Sequence, residues 1–171
     1  KVVKDIVSGP ASGDGFPLGP FAGSLIMRAT TPAKGNELWK TDGTAAGTRI
    51  IRDIAAGTSG SGPQFVVRSG SRFYFSATTS ARGREPWVSD GTKKGTKLLK
   101  DINQTSSTAS SSPQYIQETL PGTVVFSADE GKNGRELWIS NLTAAGTVLA
   151  DLNQPPLTTT RCSNPNSITD L

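Results

Sequence analysis

Histidine is absent from this 171-residue chain, and cysteine occurs only once, at Cys162. Without histidine the chain cannot form a histidine-based catalytic triad, an imidazole general base or a histidine metal site. A single cysteine cannot form an internal disulfide, so a disulfide-stapled scaffold is excluded as well. These absences remove the commonest catalytic and metal-binding classes, and no enzyme is predicted.

Long apolar runs and blocks of one charge are also missing. No stretch approaches the roughly 20 apolar residues of a membrane-spanning helix, so no membrane span is predicted. The 18 basic and 14 acidic residues are interspersed, which favours a solvated surface and predicts no nucleic-acid partner. Neither an Asp-x-Asp-x-Asp loop nor a glycine-rich loop ending in Lys-Ser/Thr occurs, so no metal or cofactor is predicted.

The chain does contain one sequence three times. GNELWKTDGTAAGT at Gly35–Thr48 returns as GREPWVSDGTKKGT at Gly83–Thr96 and as GRELWISNLTAAGT at Gly134–Thr147. A recurrence every 48 to 51 residues indicates tandem copies of one supersecondary unit. The three tryptophans of the protein lie one in each copy, and they are Trp39, Trp87 and Trp138.

The repeats divide a single predicted domain over residues 1–171. The opening KVVKDI matches RIIRDI and KLLKDI, which end the first and second repeats. It is therefore interpreted as the last strand of a preceding blade. The predicted segments are that strand (1–6), three repeats (7–54, 55–102 and 103–152) and the start of a further repeat or a tail (153–171).

Each repeat predicts four short strands. The second repeat is the clearest, with strands predicted at Gln64–Arg68, Arg72–Ala77, Glu85–Ser89 and Thr96–Ile102. The first repeat begins with a loose Gly/Pro-rich lead before a strand at Ser24–Thr30.

Apolar residues stand next to one another within these strands, which indicates sheets covered on both faces. The predicted fold is all-β, with tandem four-stranded antiparallel meanders as β-propeller-like blades, about three blades plus partial ones at each end. A β-sandwich is the alternative.

The repeated residues are interpreted first as structural anchors. Each tryptophan is expected to pack between blades, and a ring of exposed tryptophans that stacks on sugars is the alternative. The glutamates two residues earlier share the tryptophan face of the strand and need a partner there, for which Arg84 and Arg135 are the candidates. These glutamates are Glu37, Glu85 and Glu136.

Turn chemistry follows each tryptophan. Asp42-Gly43 and Asp90-Gly91 predict turns in which Asp caps the backbone and Gly adopts a positive φ. The glycines four residues further on are expected to do the same, and they are Gly47, Gly95 and Gly146. The basic residues of the fourth strand are interpreted as protection of a sheet edge, with a basic binding stripe as the alternative. They are Lys1, Lys4, Arg49, Arg52, Lys97 and Lys100.

Two Asn-x-Ser/Thr triplets are candidate glycosylation sites, at Asn103 and Asn141. Asn141-Leu142 replaces the Asp-Gly turn of the other repeats, a position expected to be exposed. The Ser/Thr tract at 105–112 could carry O-linked sugars or be flexible.

The pattern Glu37-Leu38-Trp39-x-x-Asp42-Gly43-Thr44, with its basic tail, resembles the ELW-x-x-DGT repeat proteins. The resemblance covers about residues 1–152; Pro86 and Asn141-Leu142 depart from the pattern. It implies propeller-like blades and a secreted or surface location, and it implies no established activity.

These observations predict a non-enzymatic extracellular structural or adhesive module, a subunit of a surface protein or fibre. Its predicted partners are other copies of itself or neighbouring repeats of a longer chain. In the sharper form of this hypothesis, copies assemble head to tail. A carbohydrate-binding, lectin-like propeller is the alternative, and a propeller hydrolase is a third hypothesis.

Overall fold

A computed structural model describes residues 2–9 and 11–150 of the chain. These residues form twelve β-strands and no helix. The first sheet contains β1 (Phe16–Phe21), β2 (Ser24–Thr31), β3 (Gly35–Thr41) and β4 (Arg49–Arg52). The second contains β5 (Gln64–Ser69), β6 (Arg72–Thr79), β7 (Gly83–Ser89) and β8 (Lys97–Leu98). The third contains β9 (Gln114–Leu120), β10 (Thr123–Asp129), β11 (Arg135–Ser140) and β12 (Thr147–Leu149).

Each repeat folds into its own four-stranded sheet. The strands follow one another in chain order and pair antiparallel, which confirms the predicted all-β tandem meanders. The first strands of successive sheets lie side by side, β1 next to β5 and β5 next to β9. This arrangement resembles the inner strands of propeller blades, and we refer to each sheet as a blade.

The apolar core lies between blades. One cluster joins Phe21, Ile26 and Leu38 of the first blade to Phe73 and Trp87 of the second. A second cluster joins the second blade to Trp138 and its neighbours in the third. Aromatic pairs cross both junctions, with ring centroids 4.8 Å apart for Phe21–Phe73 and 5.0 Å apart for Tyr74–Phe126. The second blade is therefore covered on both faces, because it packs against the first blade on one side and the third blade on the other.

The structure corrects the prediction of a loose lead in the first repeat. The last five residues of that lead form β1 (Phe16–Phe21) together with Phe21, although they include Pro17 and Pro20. β1 is an edge strand of its sheet, where the missing proline N–H is tolerated. The pairing of β1 with β2 is irregular between Pro17 and Gly19, which accommodates the extra residue as a bulge.

Two predictions for fourth strands are also corrected. The strand predicted at Thr96–Ile102 is only Lys97–Leu98. The Leu99 N–H still bonds to the Pro86 carbonyl of β7 at 2.9 Å, but the Ile102 N–H bonds to a glutamate side chain. Residues 2–6, predicted as the last strand of a preceding blade, form no strand and pair with none of the described strands. The predicted segment 153–171 lies outside the described residues.

Candidate functional site at the junctions between repeats

A buried glutamate joins each of the first two blades to the chain that follows it. The fully buried Glu37 carboxylate accepts the N–H of Ile54 at 3.0 Å, the N–H of Ala55 at 2.9 Å and the hydroxyl of Ser61 at 2.6 Å. Glu85, also fully buried, accepts the N–H of Ile102 at 3.0 Å. These donors lie where the chain leaves one sheet and begins the next repeat.

The second junction also supplies three donor groups, but two of them belong to one residue. Glu85 also accepts the N–H of Ser111 at 2.8 Å and its hydroxyl at 2.6 Å. We call each glutamate with its three donors a carboxylate junction. Glu136 holds the same place in the third repeat, where it is half-buried and has interaction partners of its own. The glutamates of the repeated motif, Glu37, Glu85 and Glu136, are thus distributed one per blade.

The predicted arginine partners of these glutamates are wrong. Arg84 donates to the carbonyl of Gly62 at 3.1 Å and to the hydroxyl of Ser76 at 3.1 Å. Arg135 donates in the same way to the Ser112 carbonyl at 3.0 Å. The physical reason is strand geometry: Arg84 precedes Glu85 directly, and adjacent side chains of a strand point to opposite faces.

Burial raises the pKa values of Glu37 and Glu85, the two glutamates of the carboxylate junctions. Desolvation raises the pKa of Glu85 from 4.5 to about 7, although the donors Ser111 and Ile102 act in the opposite direction. Desolvation likewise raises the pKa of Glu37, against the opposing hydrogen bond from Ser61. A carboxylate held by three donors at each junction therefore titrates at a higher pH than an exposed glutamate.

The Asp-Gly turns form as predicted. Asp42 Oδ1 accepts the N–H of Thr44 at 2.9 Å and its hydroxyl at 2.7 Å, and Gly43 has a φ of 87°. Asp90 makes the same two bonds to Thr92, and Gly91 has a φ of 80°. The bond from the threonine hydroxyl is the main reason that the pKa values of both aspartates are lowered.

The second glycine of each turn has a different role from the predicted one. Gly47, Gly95 and Gly146 do not have a positive φ. Instead, a Cβ at Gly47 would overlap the Asp42 carboxylate, and one at Gly95 would overlap that of Asp90. Glycine is required at these positions because the turn-capping side chain fills the space of a Cβ.

The turn of the third repeat has a large residue where the second repeat has a glycine, and the preceding blade has a small residue where the first blade has a large one. Leu142 takes the place of Gly91 with a φ of 62°, and it is buried among residues of the second and third blades. In the junction before it, the ring of Phe21 lies against Gly91. Ser69 stands at the position of Phe21 in the next repeat. Between the first and second blades the bulky residue is Phe21 of the earlier blade. Between the second and third blades it is Leu142 of the later blade.

Three basic residues connect repeats rather than only protect an edge. Lys4 Nζ donates to the Thr48 carbonyl at 2.8 Å, and Lys100 Nζ donates to the Thr147 carbonyl at 2.6 Å. Arg52 makes the equivalent bond to the Thr96 carbonyl at 2.5 Å. Lys4 and Lys100 thus have the same role as Arg52 of β4, although neither lysine lies in a strand. A basic cleft of about 380 Å³ between the first two blades is lined by Lys34, Lys40, Arg49, Arg52 and Lys93.

The two candidate glycosylation sites differ in accessibility. Asn103 is only 7% exposed, and its amide donates to the Ser110 carbonyl at 3.3 Å. Asn141 is exposed, and its Oδ1 accepts the N–H and hydroxyl of Thr143. The fold therefore disfavours a glycan on Asn103, while Asn141 remains a surface candidate.

The exposed aromatic residues are not the tryptophans, which are 6–9% exposed. Among the described residues they are Phe16, Phe65 and Tyr115, which lie at the starts of the three first strands. Sequence analysis missed them. The available signal was a Pro-Gln-aromatic triplet that occurs at residues 63–65 and again at 113–115.

Neither a metal-binding group of three or more Cys, Asp or Glu side chains nor a helix able to cross a membrane occurs in the described part of the chain. Comparison of the chain with protein-family models, with curated proteins and with solved structures found no match in any of the three.

Proposed function

We propose that this protein is a non-enzymatic structural or adhesive repeat module of the cell surface, whose blades also join head to tail between copies. The residues that recur in every repeat support the structural part of the proposal. Glu85 bonds to the chain that begins the third repeat, Trp87 packs in the apolar cluster shared with the first blade, and Asp90 caps its turn. In this proposal the repeated motif builds blades, and its residues are not available as a catalytic group.

The observation that carries the head-to-tail proposal is a pair of complementary free faces. Val88 of the second blade is buried against the third, but Ile139, the equivalent residue of the third blade, is 36% exposed. Gly91 of the second blade is covered by Phe21, but the space beside Gly43 of the first blade is open. In this proposal, the face of the first blade beside Gly43 and the face of the third blade around Ile139 meet each other across two copies.

Such an interface is heterologous, because it joins different faces of two copies. It does not close by two-fold symmetry, and it extends into a filament unless its rotation closes a ring. Contacts between neighbouring units are also what stabilises stacked repeats within one chain. A surface fibre or a chain of adhesive modules is the function that this geometry supports best.

Sedimentation velocity over a concentration series tests the proposal, up to about 1 mM, where an association of about −4 kcal/mol becomes visible. The average mass of the parent protein is expected to rise continuously with concentration. Ile139→Lys is expected to abolish the rise, and lysine is compatible with the sheet because Lys40 occupies that position in the first repeat. Leu120→Lys, at an exposed position on another strand, is the control and should associate like the parent.

A parent protein that stays monomeric throughout, a mass that stops at a dimer, or unchanged association of Ile139→Lys would each refute the head-to-tail proposal. The surface location is tested separately. Antibody against the module should label intact, unpermeabilised source cells, and labelling only after permeabilisation would contradict the location.

A further inference from the structure

Three aromatic side chains are exposed although the other eight aromatic residues of the chain are buried. Phe16 is 52% exposed, and Phe65 and Tyr115 are each 47% exposed. They begin the first strand of the first, second and third blade, and these strands lie side by side. We call Phe16, Phe65 and Tyr115 the aromatic row.

The backbone is strained at two of the three residues of the aromatic row, Phe65 and Tyr115. Phe65 has a φ of 56° and Tyr115 a φ of 52°, the left-handed region that bulky residues rarely adopt. Both lie at irregularities in the pairing of their strand with the next, where a bulge redirects a side chain. Because neither ring is buried, core packing does not offset this strain. Strained residues that recur at equivalent exposed positions are typical of binding sites.

An open cavity of about 470 Å³ lies at the Phe16 end of the row. The Arg28 guanidinium is 4.6 Å from the centroid of the Phe16 ring, and both residues line the cavity. Asn36 also lines it; its Oδ1 is buried and accepts no hydrogen bond from the described residues, while its amide donates to Thr30 at 2.9 Å. Asp14 adds a carboxylate. The cavity thus offers donors and acceptors beside an exposed ring.

Sugar rings match this combination. A pyranose has an apolar C–H face that packs on an aromatic ring and hydroxyl groups that both donate to and accept from Asn, Asp and Arg. Arg28 and Asp14 balance each other in charge, so the cavity does not select an acidic sugar. A polyanion would instead be attracted to the basic cleft, whose lining contains no aromatic residue.

We propose that the aromatic row and the Phe16 cavity form a binding site for a polysaccharide of neutral pyranose sugars. The sugar rings stack on the successive aromatic side chains, and Asn36, Arg28 and Asp14 bind hydroxyl groups at one end. This inference rests on the proposed adhesive function, for which it names the ligand class. It does not depend on association between copies.

Affinity gel electrophoresis tests the site with four immobilised probes: hydroxyethyl cellulose, xylan and glycol chitosan in its N-acetylated form as neutral polymers, and polygalacturonate as the anionic comparator. The parent is expected to bind at least one neutral polymer, with an affinity that is unchanged by added NaCl. The double variant Phe65→Asn, Tyr115→Asn should bind roughly tenfold more weakly for each ring removed. Phe65→Tyr should keep the affinity, and Leu120→Asn, which removes an exposed apolar residue outside the row, is the matched control.

Asparagine is chosen because it tolerates the left-handed region, so the melting temperature of the double variant should equal or exceed that of the parent. A melting temperature several degrees lower would show that the rings are structural, and unchanged binding by the double variant would refute the site. Binding of none of the neutral polymers, or binding of polygalacturonate alone with loss in salt, would also overturn the proposal. Sedimentation of the same variants keeps the two proposals apart, because the aromatic substitutions should leave association between copies unchanged.

Discussion

Glu85 accepts two hydrogen bonds from a single residue of the next repeat, the N–H of Ser111 at 2.8 Å and its hydroxyl at 2.6 Å. The two residues are 26 positions apart and belong to different blades. A carboxylate suits this position because both of its oxygens accept, and a chain that leaves a sheet has backbone N–H groups that need acceptors. The junction between blades is therefore polar at this point although apolar clusters surround it.

Removal of the Glu85 carboxylate should destabilise the protein strongly. Glu85→Ala leaves three buried donors without their acceptor, and the free energy of unfolding should fall by about 3 kcal/mol or more. The matched control is Glu118→Ala, because Glu118 is exposed on β9, and its effect should stay within about 0.5 kcal/mol. Urea unfolding of both variants measures the difference, and equal midpoints would contradict the role of the junction.

Stability should decrease as the pH rises from about 4.5 through 7. The pKa of Glu85 is about 7 in the folded protein and ordinarily 4.5, and the pKa of Glu37 is raised in the same direction. The folded state therefore binds protons more tightly, so its stabilisation is complete below pH 4.5 and is lost as the glutamates ionise. Thermal unfolding across this range measures the slope, and Glu85→Gln should flatten it. A melting temperature that rises between pH 5 and 7 would contradict the assignment.

The turn aspartates Asp42 and Asp90 should give the opposite dependence, a stability that falls as the pH is lowered. The pKa values of Asp42 and Asp90 are lowered below 3.8 by their threonine partners, so their contribution is present above pH 3.8 and is lost as the pH falls. The two effects together place the stability maximum near pH 4–5.

The turn aspartate and the second turn glycine should be energetically coupled. Gly95→Ala introduces a Cβ into the space of the Asp90 carboxylate, and such overpacking costs about 1–3 kcal/mol. The same substitution should cost less in an Asp90→Ala background, where the carboxylate is gone. A double-mutant cycle by urea unfolding measures the coupling, expected at about 0.5–3 kcal/mol. Additive effects would show that Gly95 is needed for another reason.

The two Asn-x-Thr triplets should differ when the protein is made in a glycosylating host. The peptide that contains Asn141 is expected to carry a glycan, and the peptide that contains Asn103 is expected to carry none, because Asn103 is buried and its amide is bonded. Mass spectrometry of both peptides before and after glycosidase treatment measures occupancy. A glycan on Asn103, or none on Asn141, would reverse the assignment.

The site was predictable only in part. The sequence identified Glu37, Glu85 and the three tryptophans as residues that each blade needs, but it assigned the glutamates to arginine partners. The true donors are Ile54, Ala55 and Ser61 for Glu37, and Ile102 and Ser111 for Glu85. They lie 17 to 26 residues away, and four of the six bonds come from backbone N–H groups, whose direction no side-chain pattern reveals.

The sequence by itself determined the all-β class, one four-stranded meander per repeat and the Asp-Gly turns, because strand pairing and turn geometry depend on residues close together in the chain. The tertiary structure decided what the junction glutamates bind, why Gly47 and Gly95 must lack a side chain, and which aromatic residues remain exposed. Those properties depend on how blades pack. Phe65 and Phe73 belong to the same repeat, yet Phe73 is buried against the first blade and Phe65 is exposed beside it.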